Sequence, residues 1–290
     1  RNDAVIETVI QNGGINKEGD RTLYLRAANT YAGATTINNG TLSISSAANL
    51  GDSSATNTLA INHGATLQNT GANVDLGGNR SIALGGIGGI LQSNGTNRLT
   101  VSGVISGNDC ADLTVTGPGL VALSGTNTYE GRTLVNGGTL QVGVAGVGQT
   151  GTGVVTVASG ATLAGSGSVN GSTIIGSGAV LQAGDVTTVG TAATTVTGNG
   201  GLIFTAASST ALTVENGGQI RIGISNTATH LSTGVADALT TGTYTDALTY
   251  IAANGTEFTT NWNKDPGSAS DMDYINLTGA GSNVSIGTRA

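Results

Sequence analysis

Charge, aromatic rings, cysteine and proline are all scarce in this sequence. Only 9% of its 290 residues are charged and 3% aromatic, against roughly 25% charged in an ordinary globular domain. The one cysteine, Cys110, excludes a disulfide framework and a thiolate metal site. The ten basic residues, among which Lys17 and Lys264 are the lysines, lie scattered along the chain. Without a basic stripe nothing displaces counterions from phosphates, which excludes nucleic-acid binding. Two lysines also give no electrostatic membrane anchor. No apolar run nears the ~18 residues of a membrane-spanning helix. The opening RNDAVIET has no basic and apolar leader, so the sequence reads as a mature form or an internal fragment without a signal peptide.

What is abundant is glycine, at 49 residues, with Thr, Ser, Asn and Ala interleaved among Val, Ile and Leu. Disordered chains lack β-branched residues, whereas this one carries them in short alternating runs such as Leu42-Ser43-Ile44, Leu140-Gln141-Val142 and Val155-Thr156-Val157. Period two means strand. A glycine one to three residues ahead of an aliphatic recurs at Leu42, Leu67, Leu91, Leu120, Leu140, Leu163, Leu181, Leu202 and Ile220, about every 22 residues. A period of that size marks a solenoid, propeller or array. Helix formers are too few for a helical repeat, and a propeller blade needs about 40 residues. The pattern therefore predicts an all-β, parallel β-helix (β-solenoid). Inward Val, Ile and Leu stack from coil to coil, and glycines and Asn-Gly pairs such as Asn39-Gly40 and Asn136-Gly137 turn the corners. About thirteen coils at ~4.8 Å each would make a rod on the order of 60 Å long.

Within the short period lies a longer one. NTYAGATTINNGTLSI starts at Asn29 and NTYEGRTLVNGGTLQV at Asn127. These stretches resemble the autotransporter-associated β-strand repeat, also called the passenger-associated transport repeat, in two units from about Leu23 to Leu67 and from about Leu120 to Leu163. The resemblance implies a right-handed β-helix exported by a bacterium, at the cell surface or outside the cell, in the manner of an autotransporter passenger. It implies no substrate. The amphipathic strands of a membrane barrel are not visible in the sequence, so direct membrane insertion by this segment is not expected. Tyr31 and Tyr129 hold the same place in the two units and are expected to pack at a corner rather than to form a binding ladder.

Other β-helices are polysaccharide-cleaving enzymes, whose sites cluster several aspartates on neighbouring strands. Asp109 and Asp112 flank Cys110 in SGNDCADLTV, which reads as a corner loop where aspartate is ordinary. His63 and His230 stand apart, with no partner at metal-ligand spacing. Cys110 has no basic neighbour to favour its thiolate. The LGGIGG cluster at Leu84 lacks the following helix of a phosphate loop. In KDPGSASDMDY, Asp265, Asp271 and Asp273 form a weak Ca²⁺ candidate beside the simpler reading of a solvated acidic loop. No catalytic residue and no cofactor is assigned.

The texture changes near the C-terminus, where Tyr244, Tyr250, Phe258, Trp262 and Tyr274 make up five of the nine aromatic residues. Repeat arrays need atypical terminal units, so 1–243 is predicted to be the β-helix and 244–290 a cap or terminal subdomain continuous with it. At the other end, AVIETVI is an apolar strand at an open edge, and unpaired edges recruit strands. Ala4, Val5, Ile6, Val9 and Ile10, with Tyr250, Phe258, Trp262 and Tyr274, are therefore the candidates for head-to-tail self-association into a fibre. The sequence thus points to a non-enzymatic structural or adhesive rod. Its partners are itself, or host and matrix glycans and surface proteins; the alternative is a polysaccharide-binding or -cleaving β-helix.

Overall fold

The computed structural model describes residues 2–186 and, beyond them, 196–197, 202–204, 212–215, 218–221, 223–225, 249–250 and 272–274. The parallel β-helix is present. A ten-stranded sheet, a seven-stranded sheet and a five-stranded sheet are all parallel throughout, with sequence neighbours always in different sheets. They form three walls, here the long, the middle and the short wall. A full coil passes from the short to the long to the middle wall. Past Ser106 the short wall is carried on by single bridges from Thr126 to Gln149 and from Gln149 to Ser168, into the pair Ser168–Val169 and Ile203–Phe204. The one helical turn among the described residues is a 3-10 turn, Ala47–Leu50, capped by Ser46.

Alternation makes the core. Down the inside of the long wall, Leu42, Leu67, Leu91, Val115, Val135, Val157, Ile175 and Val214 stand in register. All eight are buried in one continuous cluster. The middle wall stacks Leu99, Val121, Leu140, Leu163 and Leu181 in the same way. Each aliphatic removed from water contributes about 1.5–3 kcal/mol, and a parallel strand buried on one face repeats that gain once per coil. An outward column of the long wall comprises Thr22, Thr41, Thr66, Ile90, Thr114, Leu134, Thr156, Ile174 and Thr213. These residues carry no charge and are half-exposed.

The corners confirm the glycine reading and refine it. Gly40 (φ 67°) and Gly138 (φ 61°) turn the two units at equivalent points. At each, a side chain would also collide with backbone carbonyls of the coil below, those of Gly19 and Gly117 respectively. In the second unit the left-handed residue is Gly138 rather than Gly137 of the Asn136-Gly137 pair.

Three features depart from the sequence expectation. First, the glycine-led leucines are not one column: Leu42 lies in the long wall and Leu140 in the middle wall. Four coils carry Leu42 to Val135, and Leu140 lies five residues further on, around the next corner. The two copies of the long repeat therefore occupy different walls. Second, Leu120 is buried on the outside of the middle wall, in a separate small cluster, while its neighbour Val121 points inward. Third, Ile175 pairs with Val214, so a single coil spends 39 residues where earlier ones spend 18 to 25. Among the described residues the longest wall has ten strands, about 43 Å of rod at ~4.8 Å per strand, against the thirteen coils expected.

Candidate functional site

The two long repeats do the same thing at their two positions. Asn29 Oδ1 accepts from Ile10 N–H at 2.8 Å, and its Nδ2 donates to Asn49 O at 2.6 Å. Asn127 repeats this one-to-one, accepting from Ile105 N–H at 2.8 Å and donating to Gln149 O at 2.6 Å. Each asparagine thus ties its own coil to the coil before and the coil after. Two residues on, Tyr31 and Tyr129 are fully buried, and their hydroxyls share hydrogen bonds with Thr35 Oγ1 (2.8 Å) and Thr133 Oγ1 (2.7 Å). Burial pushes both phenols above their ordinary titration range. A glycine lies against each tyrosine because nothing larger fits: a side chain at Gly51 would strike Tyr31 O, and one at Gly151 would strike Tyr129 O and the ring itself. The tyrosines present no ring to a ligand.

Charge inside the rod is rare and is held mainly by backbone carbonyls. Arg80 is 1% exposed. Its Nη1 donates to Leu50 O (3.0 Å), Asn57 O (3.2 Å) and Asn57 Oδ1, and its Nη2 to Asp52 O (2.8 Å). Only its Nε has no partner among the described residues. The guanidinium fills the long corner loop of the first unit, where Asn57 Nδ2 in turn donates to Tyr31 O at 2.9 Å. Lys17 sits at an inward position of the short wall, in register with Ile37. Its ammonium donates to Glu18 O (3.0 Å), Gly19 O (2.6 Å) and Asn39 O (2.9 Å). Sequence reasoning passes over both residues. Inward charges are one of the devices that blunt sheet edges, and Ile15–Lys17 is the edge strand of the short wall.

The acidic and nucleophilic candidates are dispersed. Asp112 receives Arg132 of the next coil, with Nη2 to Oδ2 at 2.6 Å, on the exterior of the rod. His63 occupies a left-handed turn position (φ 52°). Cys110 is exposed, and the Asp109 carboxylate beside it, which accepts from the thiol and repels a thiolate, pushes its pKa up. Alkylation of Cys110 by iodoacetamide at pH 7 is therefore expected to be slower than that of free cysteine. Its rate should rise with pH to a later plateau; Asp109→Asn should move the plateau back toward the ordinary thiol range. Among the described residues no three His, Cys, Asp or Glu side chains are grouped as metal ligands.

Of the self-association candidates, Ala4–Ile6 forms the first strand of the long wall, paired on one side only, to Thr22–Leu25. Val5 is 54% exposed and Val9 51%, while Ile6 and Ile10 are partly buried against the core. Tyr250 lies in a strand pairing with Ile203–Phe204, and Asp273 and Tyr274 lie in a strand antiparallel to Gly223–Ser225. Phe258, Trp262, Asp265, Asp271 and His230 fall outside the described residues, as does most of the region 244–290.

The exterior itself is the remaining feature. The outer column of the long wall from Thr22 to Thr213 bears no charge, and beside it Gln68 Nε2 donates to Gln92 Oε1 at 3.1 Å. The Asp112–Arg132 pair lies at the edge of this wall, where the two charges offset one another. At a corner, Asn62 donates to Asn38 and Asn38 to Asn16, at 2.8 and 2.9 Å.

The family model of the passenger-associated-transport-repeat matches residues 15–44 and 113–142. These are the strands and corners around the two Asn-Tyr clamps. The chain is also 37% identical over 129 residues to the adhesin BmaC autotransporter of Brucella suis biovar 1 (strain 1330). That alignment covers 42% of this chain and 4% of the relative, so the chain matches a small part of a far longer protein. No solved structure matches the chain.

Proposed function

We propose that this autotransporter-passenger repeat protein works as a non-catalytic adhesive rod on the bacterial surface, with the outer face of the long wall as its contact face. The observation that carries the reading is the outer column of that face: it runs uncharged through nine of the ten strands, lined by half-exposed Thr, Ile and Leu. Such a face supplies hydroxyl hydrogen bonds beside small apolar contacts, and it repels neither charge sign. The matched relative is named an adhesin, which supports the same role.

Purified chain should bind immobilised extracellular-matrix proteins or neutral glycans saturably, and Thr66→Lys with Thr114→Lys should weaken that binding about tenfold or more by burying unpaired charge. Turnover of a polysaccharide substrate, or binding indifferent to the two lysines, would overturn the reading. Head-to-tail assembly through Val5, Val9 and their neighbours is the narrower form of the proposal. Light scattering on dilute protein tests it: a mass that grows with concentration supports it, and a constant monomer mass removes it.

A further inference from the structure

Coils of a solenoid ordinarily touch only the next coil, so the array can open from an end one coil at a time. Among the described residues one place breaks that rule. After the middle-wall strand Val180–Ala183, the chain leaves the helix and runs back over the outside of the same wall. Asp185–Val186 pairs antiparallel with Val196–Thr197, and Gly184 forms a bridge to Gly165. Asp185 Oδ2 accepts from Ala145 N–H at 2.7 Å and Oδ1 from Ser166 Oγ at 2.6 Å. Val186 N–H donates to Gln141 Oε1 at 3.0 Å, and Val186 O accepts from Arg98 Nη1 at 3.1 Å. The Val186 side chain closes a cluster with Leu120, Ala122 and Ala164, separate from the main core.

Arg98, Leu120, Ala122, Gln141, Ala164 and Gly165 lie on Arg98–Val101, Leu120–Leu123, Thr139–Val142 and Thr162–Gly165, and Ala145 and Ser166 follow the last two of these. The four are successive strands of the middle wall. Arg98 is 88 residues from Val186 and four coils from the strand that Val186 has just left. The exterior of a solenoid is normally polar, yet Leu120, Ala122, Gln141 and Ala164 are all 0% exposed. Gly184–Val186 lies over them, with Val144 packed beside Val186.

We infer that Gly184–Val186 is a staple that locks the five coils from Arg98–Val101 to Val180–Ala183 into one cooperative block, so that this part of the rod resists peeling by force or by protease. A bond between coils that are not neighbours adds to the array a coupling that nearest-neighbour stacking lacks. It ties the opening of any one of these coils to the loss of contacts in the other four. The inference stands on the exterior contacts and holds whatever the rod binds.

The test is hydrogen exchange on the whole chain, comparing the wild type with Arg98→Ala/Val186→Ser and with the conservative control Val186→Ile. In the wild type and the control, core amides of Leu120–Leu123, Thr139–Val142 and Thr162–Gly165 should exchange at one common slow rate. In the double variant the same amides should exchange roughly 10- to 100-fold faster and at rates that differ from strand to strand. A double variant that keeps the common slow rate overturns the staple. So does one in which amides of Thr41–Ile44, a strand outside the block, accelerate equally, because that pattern means general loss of stability.

Discussion

Asn127→Ala is expected to destabilise the rod by about 2–4 kcal/mol, because it strips partners from two backbone groups at once. Ile105 N–H loses its side-chain acceptor and Gln149 O loses the Nδ2 donor, in a site where Asn127 itself is 2% exposed. Water cannot replace the buried bond to Ile105 without opening the coil. Asn127→Asp should fall short of rescue: it keeps an acceptor for Ile105 but sets a carboxylate against the Gln149 carbonyl. The equivalent change in the first unit, Asn29→Ala, should cost a similar amount, because each asparagine makes one buried and one partly buried bond. Denaturant titration of the three variants gives the order, and loss of protection at the Ile105 amide identifies the cause. Equal, near-zero effects would mean that the asparagine is not a clamp.

Arg80→Met is expected to cost about 3–5 kcal/mol, because it leaves several buried acceptors without a donor, at about 1–3 kcal/mol each. The guanidinium is always charged, and its two Nη atoms hold Leu50 O, Asn57 and Asp52 O together. Methionine fills much of the volume but donates to none of those acceptors. Arg80→Lys should recover only part of the loss, since an ammonium lacks the planar fork that reaches several carbonyls at once. Limited proteolysis offers an independent readout, with cleavage in the loop Gly51–Asn57 appearing in Arg80→Met before any cut elsewhere. Cleavage that starts elsewhere would show that Arg80 does not organise this loop.

The parts of the fold that repeat are legible in the sequence, and the parts that depend on counting are not. Glycine ahead of Leu42 and Leu140, and alternation along most strands, foretell parallel strands, tight corners and an aliphatic interior. The wall that each copy of the repeat occupies depends on the summed lengths of the coils between them. Those lengths range from 20 to 25 residues and are set by corner loops that carry no periodic signal. Leu120 reads as part of the main core because LVAL is apolar throughout, and a run without alternation does not say which face is inward. Only the strap over the middle wall makes the outside of that strand apolar, and QAGDV shows no pattern that announces a strap.

For the candidate surface, the long repeat reads as architecture from its composition, but the residues that perform it, Asn29 and Asn127, are hidden among many asparagines. Arg80 carries the available signal, an isolated positive charge within a stretch otherwise nearly free of charge, whereas Lys17 lies in the charged run NKEGDR and does not stand out. An uncharged outer column has no motif at all, since it is defined by register between strands about 22 residues apart.

The most direct measurement is a wall-by-wall comparison of adhesion. Single lysines are placed on the outer face of the long wall (Thr66→Lys, Thr114→Lys) and on the outer face of the short wall (Ala83→Lys), and binding to the same immobilised matrix ligand is measured for each. The long-wall variants are expected to lose about tenfold or more in affinity while Ala83→Lys binds as the wild type does, with all three folded by circular dichroism. Equal binding by all three, or loss confined to Ala83→Lys, would contradict the assignment of the long wall as the contact face.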